Sequence, residues 1–180
     1  IPLKGLHNVS DALAAIAIAK IAGVSNDEIV SSLAGYEPGK HRLKYVCAVR
    51  GVAFYDDSKG TNVAATLKAM DSMTGSYALI AGGSDKGYGY DELFTGCSAL
   101  PQKVFAIGET AGKLVAAAHR HGYHSIEKCA SLEDAVAGAY GSGADNVLLS
   151  PASASFDMFS SYAERGDRFI KIVGELKNLG

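Results

Sequence analysis

The apolar positions follow one rhythm as far as the break "GYEPGKHR" and a different one after it. In "HNVSDALAAIAIAKIAG" the large apolar residues Leu13, Ile16 and Ile21 sit among alanines, which predicts a helix terminated by Gly23. Nearly every face of this helix is apolar, so it is expected to pack on more than one side. Ser25-x-x-Glu28 forms a capping box ahead of Ile29, Val30 and Leu33 and opens a second, short helix. Gly35, Pro38 and Gly39 interrupt the pattern in "GYEPGKHR", which reads as a linker.

The second rhythm begins with strict alternation. Leu43, Tyr45, Cys47 and Val49 alternate with Lys44 and Arg50, and "VRGVAFY" returns the chain as a hairpin. The continuous apolar runs in "SYALIAGG", "KVFAIG" and "NVLLSP" predict short buried strands, and "HSIEKC" a weaker one. Between and after them, "TNVAATLKAM", "TAGKLVAAAHR", "SLEDAVAGAY" and "FSSYAERGDRFIKIVGEL" have helical spacing. Strands that take turns with helices predict an α/β fold: a mostly parallel sheet with an antiparallel edge hairpin strand, helices on both faces, and a short helical segment in front.

Composition narrows the picture. With 48% apolar and 20% charged residues, the chain can bury a core and is not of the disordered class. A net charge of −2 gives no electrostatic reason to expect nucleic acid or an anionic membrane. Cys47, Cys97 and Cys129 are far apart and odd in number, which argues for a reducing compartment and a cytoplasmic location. The longest wholly apolar run, Ala12 to Ala19, is far too short to span a bilayer. The chain opens on Ile1-Pro2, not Met, and is expected to be part of a longer one.

The chemistry gathers in three turns. In an open parallel sheet, ligands bind outside the carboxyl ends of the strands, and "DDSKGTN", "GGSDKG" and "SPASASFD" all lie there. Together they offer Asp57, Lys59, Thr61, Asn62, Lys86, Ser150, Ser153 and Ser155, a receptor suited to a small molecule bearing carboxylates. A long helix is expected to start near Asp157 to Ser160, so that its N-terminus adds anion affinity at Ser155 while Asp157 turns towards Arg165 or Arg168. Each turn also has a plainer reading. "GGSDKG" alone is a glycine turn with an exposed lysine, "SPASAS" alone a capping loop, and "GYGY" (87–90) a flexible loop beside the rim. His119, His121 and His124 straddle a helix end and a loop without supporting carboxylates, so no metal is expected there.

The blocks "DSKGTN", "GGSDKG" and "LLSPASASFDMFSSYAERGDRF", with "HR" before the hairpin and "GLHNVSDALAA" near the start, resemble the Mur ligases. Within that family they resemble the member that adds D-glutamate to UDP-N-acetylmuramoyl-L-alanine in peptidoglycan precursor synthesis. The likeness runs through essentially the whole chain in order. It implies that residues 1–39 are the tail of a central ATPase domain plus linker and 40–180 a Rossmann-like C-terminal ligase domain. A P-loop and a UDP-binding domain would lie outside the chain, which is expected to be inactive alone. The implied reaction is ATP-driven amide formation through an acyl phosphate, with ATP and magnesium required and most magnesium ligands elsewhere.

The resemblance also implies site residues. Thr61, Lys86, Ser155, the backbone N–H of Phe156, and Tyr162 would bind D-glutamate. Asn8, Asp11, Arg42 and Asp57 would hold the nucleotide when domains close, with His41 beside them. Lys59 and His41 are the catalytic candidates. Two positions depart from the family pattern. Asp11 stands where an asparagine is usual, exchanging a donor-and-acceptor amide for an acceptor-only carboxylate. Tyr162 stands where some relatives carry phenylalanine, and keeps the ring. Two other readings stay open: a related three-domain amino-acid ligase, and a Rossmann-like module that only binds an acidic small molecule.

Overall fold

The computed structural model describes residues 6–36 and 39–178. Ile1-Pro2, and Glu37 and Pro38 of the expected linker, lie outside the described residues. The chain forms two compact units, Ile1–Gly39 and Lys40–Gly180.

The first unit holds α1 (Leu6–Ile21) and α2 (Asn26–Ala34). The capping box forms as the sequence predicts: the Glu28 N–H donates to Ser25 Oγ and the Ser25 N–H to Glu28 Oε2, at 3.3 and 3.1 Å. Gly23 ends α1 with φ 82°. The burial expected on several sides of α1 is not found. Ala12 is buried, but Leu13, Ile18 and Ile21 are exposed.

The second unit contains six strands: β1 (Lys44–Val49), β2 (Val52–Asp56), β3 (Tyr77–Gly82), β4 (Lys103–Ile107), β5 (Ile126–Lys128) and β6 (Asn146–Leu149). They form one sheet in the order β1-β2-β6-β3-β4-β5. The β1–β2 hairpin is antiparallel and every other pairing is parallel. Arg50 and Gly51 turn the hairpin at φ 46° and 88°, the handedness that matches strand twist.

Four helices cover the sheet: α3 (Val63–Asp71), α4 (Ala111–Arg120), α5 (Leu132–Tyr140) and α6 (Tyr162–Asn178). All of β3 is buried. Tyr77, Leu79 and Ala81 pack in one cluster with Met70 of α3 and Leu114 of α4, while Ala78 and Ile80 pack with Val136 of α5 and Phe169 of α6. Each large side chain so buried favours folding by about 1.5–3 kcal/mol. This two-sided burial is why the parallel strands read as continuous apolar runs.

Two elements differ from expectation. A 3₁₀ turn, Asp91–Phe94, follows "GYGY" and buries Leu93 and Phe94. α6 begins at Tyr162, not near Asp157 to Ser160. Residues before it are spent on a turn in which the Ser155 carbonyl accepts from the N–H groups of Met158 and Phe159. The Ser161 hydroxyl then accepts from the Glu164 N–H at 3.1 Å, so α6 carries its own cap.

Candidate functional site

Because β6 lies between β2 and β3, the three loops that leave these strands stand side by side at the carboxyl edge. The loop after β6 is stitched to both neighbours. The Ala152 N–H donates to the Gly60 carbonyl (2.9 Å), the Gly82 N–H to that of Pro151 (2.7 Å) and the Ser84 N–H to that of Ala154 (2.9 Å). The structure therefore brings the three sequence-predicted turns together.

The first loop, 57–62, is organised around two buried acids. Asp57 is 8% exposed; its carboxylate accepts from the Leu43 N–H at 3.1 Å and from the Ser150 hydroxyl at 2.6 Å. Burial pushes its pKa up from 3.8 to about 6, against the easing effect of those hydrogen bonds. Asp57 therefore bears a structural load, and it does not cap α3. Asn62, expected on the rim, is the cap: its side chain accepts from the Ala65 N–H at 2.9 Å. Gly60 is required here, because a side chain would run into the Asp57 carboxylate and the Ser150 hydroxyl.

His41 lies under the rim and not on it. It is 3% exposed, with Nδ1 2.6 Å from the Asp56 carboxylate and Nε2 3.6 Å from that of Asp167. Its carbonyl accepts from the Lys59 N–H, so it supports the loop that carries Lys59. A catalytic role in direct contact with substrate does not fit a ring so enclosed. Arg42 beside it is exposed. The Lys59 ammonium donates to the Tyr162 hydroxyl at 3.1 Å and lies 4.8 Å from the ring centre, which aims it. Thr61 and Tyr162 are half-buried.

The second loop carries Lys86, which is exposed and makes no ion pair among the described residues. Its neighbour Asp85 is occupied: the Lys113 ammonium beside it holds the carboxyl below the usual range. The Asp85 N–H also donates to Glu109, at 3.1 Å. The loop is anchored next to a cation left unpaired.

In the third loop Ser150, Ser153 and Ser155 are all buried. Ser150 serves Asp57, and Ser153 lies 2.8 Å from the hydroxyl of Tyr90 and 3.3 Å from that of Thr110. Ser155 sits at the head of the turn described above, so the helix N-terminus expected behind it is not there. Phe156 is exposed. Asp157 pairs with neither Arg165 nor Arg168, although its charge reaches Arg165; it accepts from the Ser84 hydroxyl (3.2 Å) and the Glu109 N–H (3.0 Å). Arg168 pairs with Glu133 instead.

Asn8 and Asp11 lie on α1 in the first unit. A cleft of about 480 Å³ opens beside the start of α3, lined by Asn62–Ala64, Tyr88, Gly89, Asp91 and Glu92, and shares Asn62 alone with the expected rim residues. His119 and His124 stack 5.1 Å apart while His121 faces Asp91, and among the described residues no group of three His, Cys, Asp or Glu could hold a metal ion. No described helix is long and apolar enough to cross a membrane. The parts that two residues play at the loops escaped the sequence reading. Tyr90 was hidden inside an apparently mobile "GYGY", and Arg165 inside a charged helix start. Their one signal was a bulky or charged residue next to glycine, at Gly89 and Gly166.

No protein-family profile matches the chain. It is 44% identical over 178 residues to UDP-N-acetylmuramoylalanine–D-glutamate ligase of Bacillus cytotoxicus, an alignment covering 98% of this chain and 40% of that one. The Bacillus mycoides counterpart is also 44% identical, with 98% and 39% covered. The chain thus spans about 40% of the length of the curated relatives it matches. Among solved structures, MurC of Thermotoga maritima superposes with a TM-score of 0.70 at 14% identity, covering 96% of this chain and 39% of that one. MurF of Acinetobacter baumannii gives 0.67 at 19%, with 99% and 39% covered, and these two likenesses speak for the fold alone.

Proposed function

From a chain that belongs to the family of UDP-N-acetylmuramoylalanine–D-glutamate ligases, we propose that this piece carries the D-glutamate site and part of the nucleotide site of an ATP-dependent amide ligase. On this reading the second unit is the C-terminal ligase domain, the first is the tail of the ATPase domain, and the whole enzyme works in the cytoplasm. The observation that carries the reading is the 44% identity, which extends over 98% of the chain and so includes all three loops.

The placement of several residues is in keeping with it. Lys86 is an unpaired cation at the edge, suited to one carboxylate of D-glutamate. Thr61, Ser155 and the Phe156 N–H supply donors for the other, and Tyr162 borders them while orienting Lys59. Holding both carboxylates leaves the amine free to attack. The amine nitrogen attacks the carbonyl of the acyl phosphate, gives up a proton, and phosphate departs with the bonding pair. Lys59 is placed to steady the negative charge that builds on the carbonyl oxygen. Of the nucleotide candidates, Arg42 is the exposed group of the second unit, and Asn8 and Asp11 are those of the first. His41 and Asp57 act through the loop they hold. Magnesium is implied by the family chemistry; among the described residues no group of three His, Cys, Asp or Glu could hold it.

Two measurements on the full-length enzyme test this reading. ADP release should depend on D-glutamate and not on L-glutamate; release indifferent to either would leave only a binding module. Lys86→Ala should raise the KM for D-glutamate roughly 10- to 100-fold, the scale of a lost hydrogen bond to a charge at about 1.5–3 kcal/mol. The KM for ATP and the melting temperature should stay put, because Lys86 is exposed and supports nothing. Equal rises in every KM would take Lys86 out of the D-glutamate site.

A further inference from the structure

Every N–H of one buried arginine is taken up by the loops of the site. Arg165, in the first turn of α6, is 1% exposed. Its Nε donates to the Ser58 hydroxyl at 3.0 Å, and one terminal nitrogen to the carbonyls of Ser58 and Ser153 at 2.9 and 3.1 Å. The other terminal nitrogen donates to the carbonyls of Ala154 and Gly82, at 3.2 and 3.4 Å. The acceptors come from all three loops: Ser58 from the first, Gly82 from the root of the second, Ser153 and Ala154 from the third. The Ser58 hydroxyl passes the link on by donating to the Tyr162 carbonyl at 2.7 Å.

Only a guanidinium has five donors fixed in one plane; an ammonium has three, on a single rotating centre. Among the described residues no carboxylate lies within ion-pair distance of Arg165, although Asp157, Asp56 and Asp57 are near enough to be felt. Burial lowers its pKa to about 10, which leaves it a cation at neutral pH. A buried cation without a contact partner is a poor device for stability alone, since apolar packing serves that end as well or better. What it supplies is geometry and charge.

Resting on the ligase reading above, we propose that Arg165 is the positioning residue of the D-glutamate site. It holds three loops in register and sets a positive charge behind the edge that receives the carboxylates. In the full-length enzyme Arg165→Lys should raise the KM for D-glutamate at least about tenfold while the KM for the UDP-linked substrate stays within about threefold. Ser58→Ala, which removes the Nε link and the hydroxyl's bond to the Tyr162 carbonyl but leaves the other Arg165 bonds, should give a smaller rise of the same kind. Val173→Ala, a core change further along α6, should lower the melting temperature without moving the KM for D-glutamate. Hydrogen exchange supplies the readout on the loops themselves. In Arg165→Lys the amides of Lys59, Ser84 and Ala152, each bonded from one loop to another segment, should lose protection together, and β3 should not. An unchanged KM for D-glutamate in folded Arg165→Lys, or loss of protection in one loop only, overturns the proposal. If Arg165→Lys does not fold, an unchanged KM in Ser58→Ala overturns it. If the unaltered enzyme shows no D-glutamate-dependent ADP release, the ligase reading fails, and the exchange data still decide whether Arg165 holds the loops.

Discussion

Gly82→Ala should leave the second unit largely unfolded, with a loss of more than about 4 kcal/mol in a denaturant titration. Gly82 ends β3 with φ 118°, a conformation open to glycine and costly for any L side chain. A β-carbon there would collide with the carbonyl oxygen of Ile107. Ile107 is the ladder partner of Gly82 on β4, so the obstacle is backbone that cannot step aside without parting the two strands. The Gly82 N–H is also pinned to the Pro151 carbonyl at 2.7 Å, and the strand cannot back away. Gly87→Ala is the comparison. Its φ of 78° is also left-handed, but nothing lies near the added carbon, so the cost should stay at roughly 1–2 kcal/mol. Equal losses in the two variants would mean that crowding against β4 does not decide the matter.

Asp57→Asn should remove a fall in stability of about 2–3 kcal/mol that the parent chain suffers between pH 4 and pH 7. Asp57 has a folded-state pKa of about 6, raised from 3.8 chiefly by burial. The folded chain therefore binds its proton more tightly than the unfolded chain does. That contribution is fully present below pH 3.8 and is lost as pH rises through about 6. Above that, folding carries the burden of an ionised carboxylate away from water. Asparagine keeps an acceptor for the Leu43 N–H and offers a donor to the Ser150 hydroxyl, and it does not titrate. Other carboxyls in the chain titrate in the opposite sense, Asp85 and Asp91 among them. The measurement is thus the difference between the two stability profiles, taken by chemical denaturation at steps from pH 4 to pH 7. A difference that does not change with pH would show that Asp57 stays ionised throughout.

The strands were legible in the sequence because two-sided burial writes itself as an unbroken apolar run, as in "YALIAG" of β3. Caps were legible where a hydroxyl or amide preceded a clear helical pattern, as at Ser25. The start of α6 was not, because Phe159 continues the apolar spacing of Tyr162 backwards into a turn. Ser161 with Glu164 three residues on was the stop signal that mattered there. The three loops could be assigned to one edge from topology alone. Their internal division of labour could not. A serine or aspartate reads the same in sequence whether its oxygens face solvent or another side chain, and Ser150, Ser153 and Asp57 turned out to face one another or their neighbours. Arg165 is the extreme case. Among Glu164, Asp167 and Arg168 it looks like part of a solvated charged face, and only the fold shows that it points inward.

The placement of β6 has a consequence for how the chain is made. Asn146–Leu149 pairs with β2 on one side and β3 on the other, yet it is the last strand in sequence. Before it is synthesised, the β1–β2 hairpin and the β3–β4–β5 block are two separate sheets, each ending in a row of open backbone donors and acceptors. Parallel pairing between distant segments is slow, because the intervening chain must close before any contact rewards it. A nascent or truncated chain that stops short of residue 146 therefore exposes two apolar edges at once, the form most prone to pair with another copy of itself. The same strand that assembles the loops thus makes its own synthesis the point at which this exposure ends.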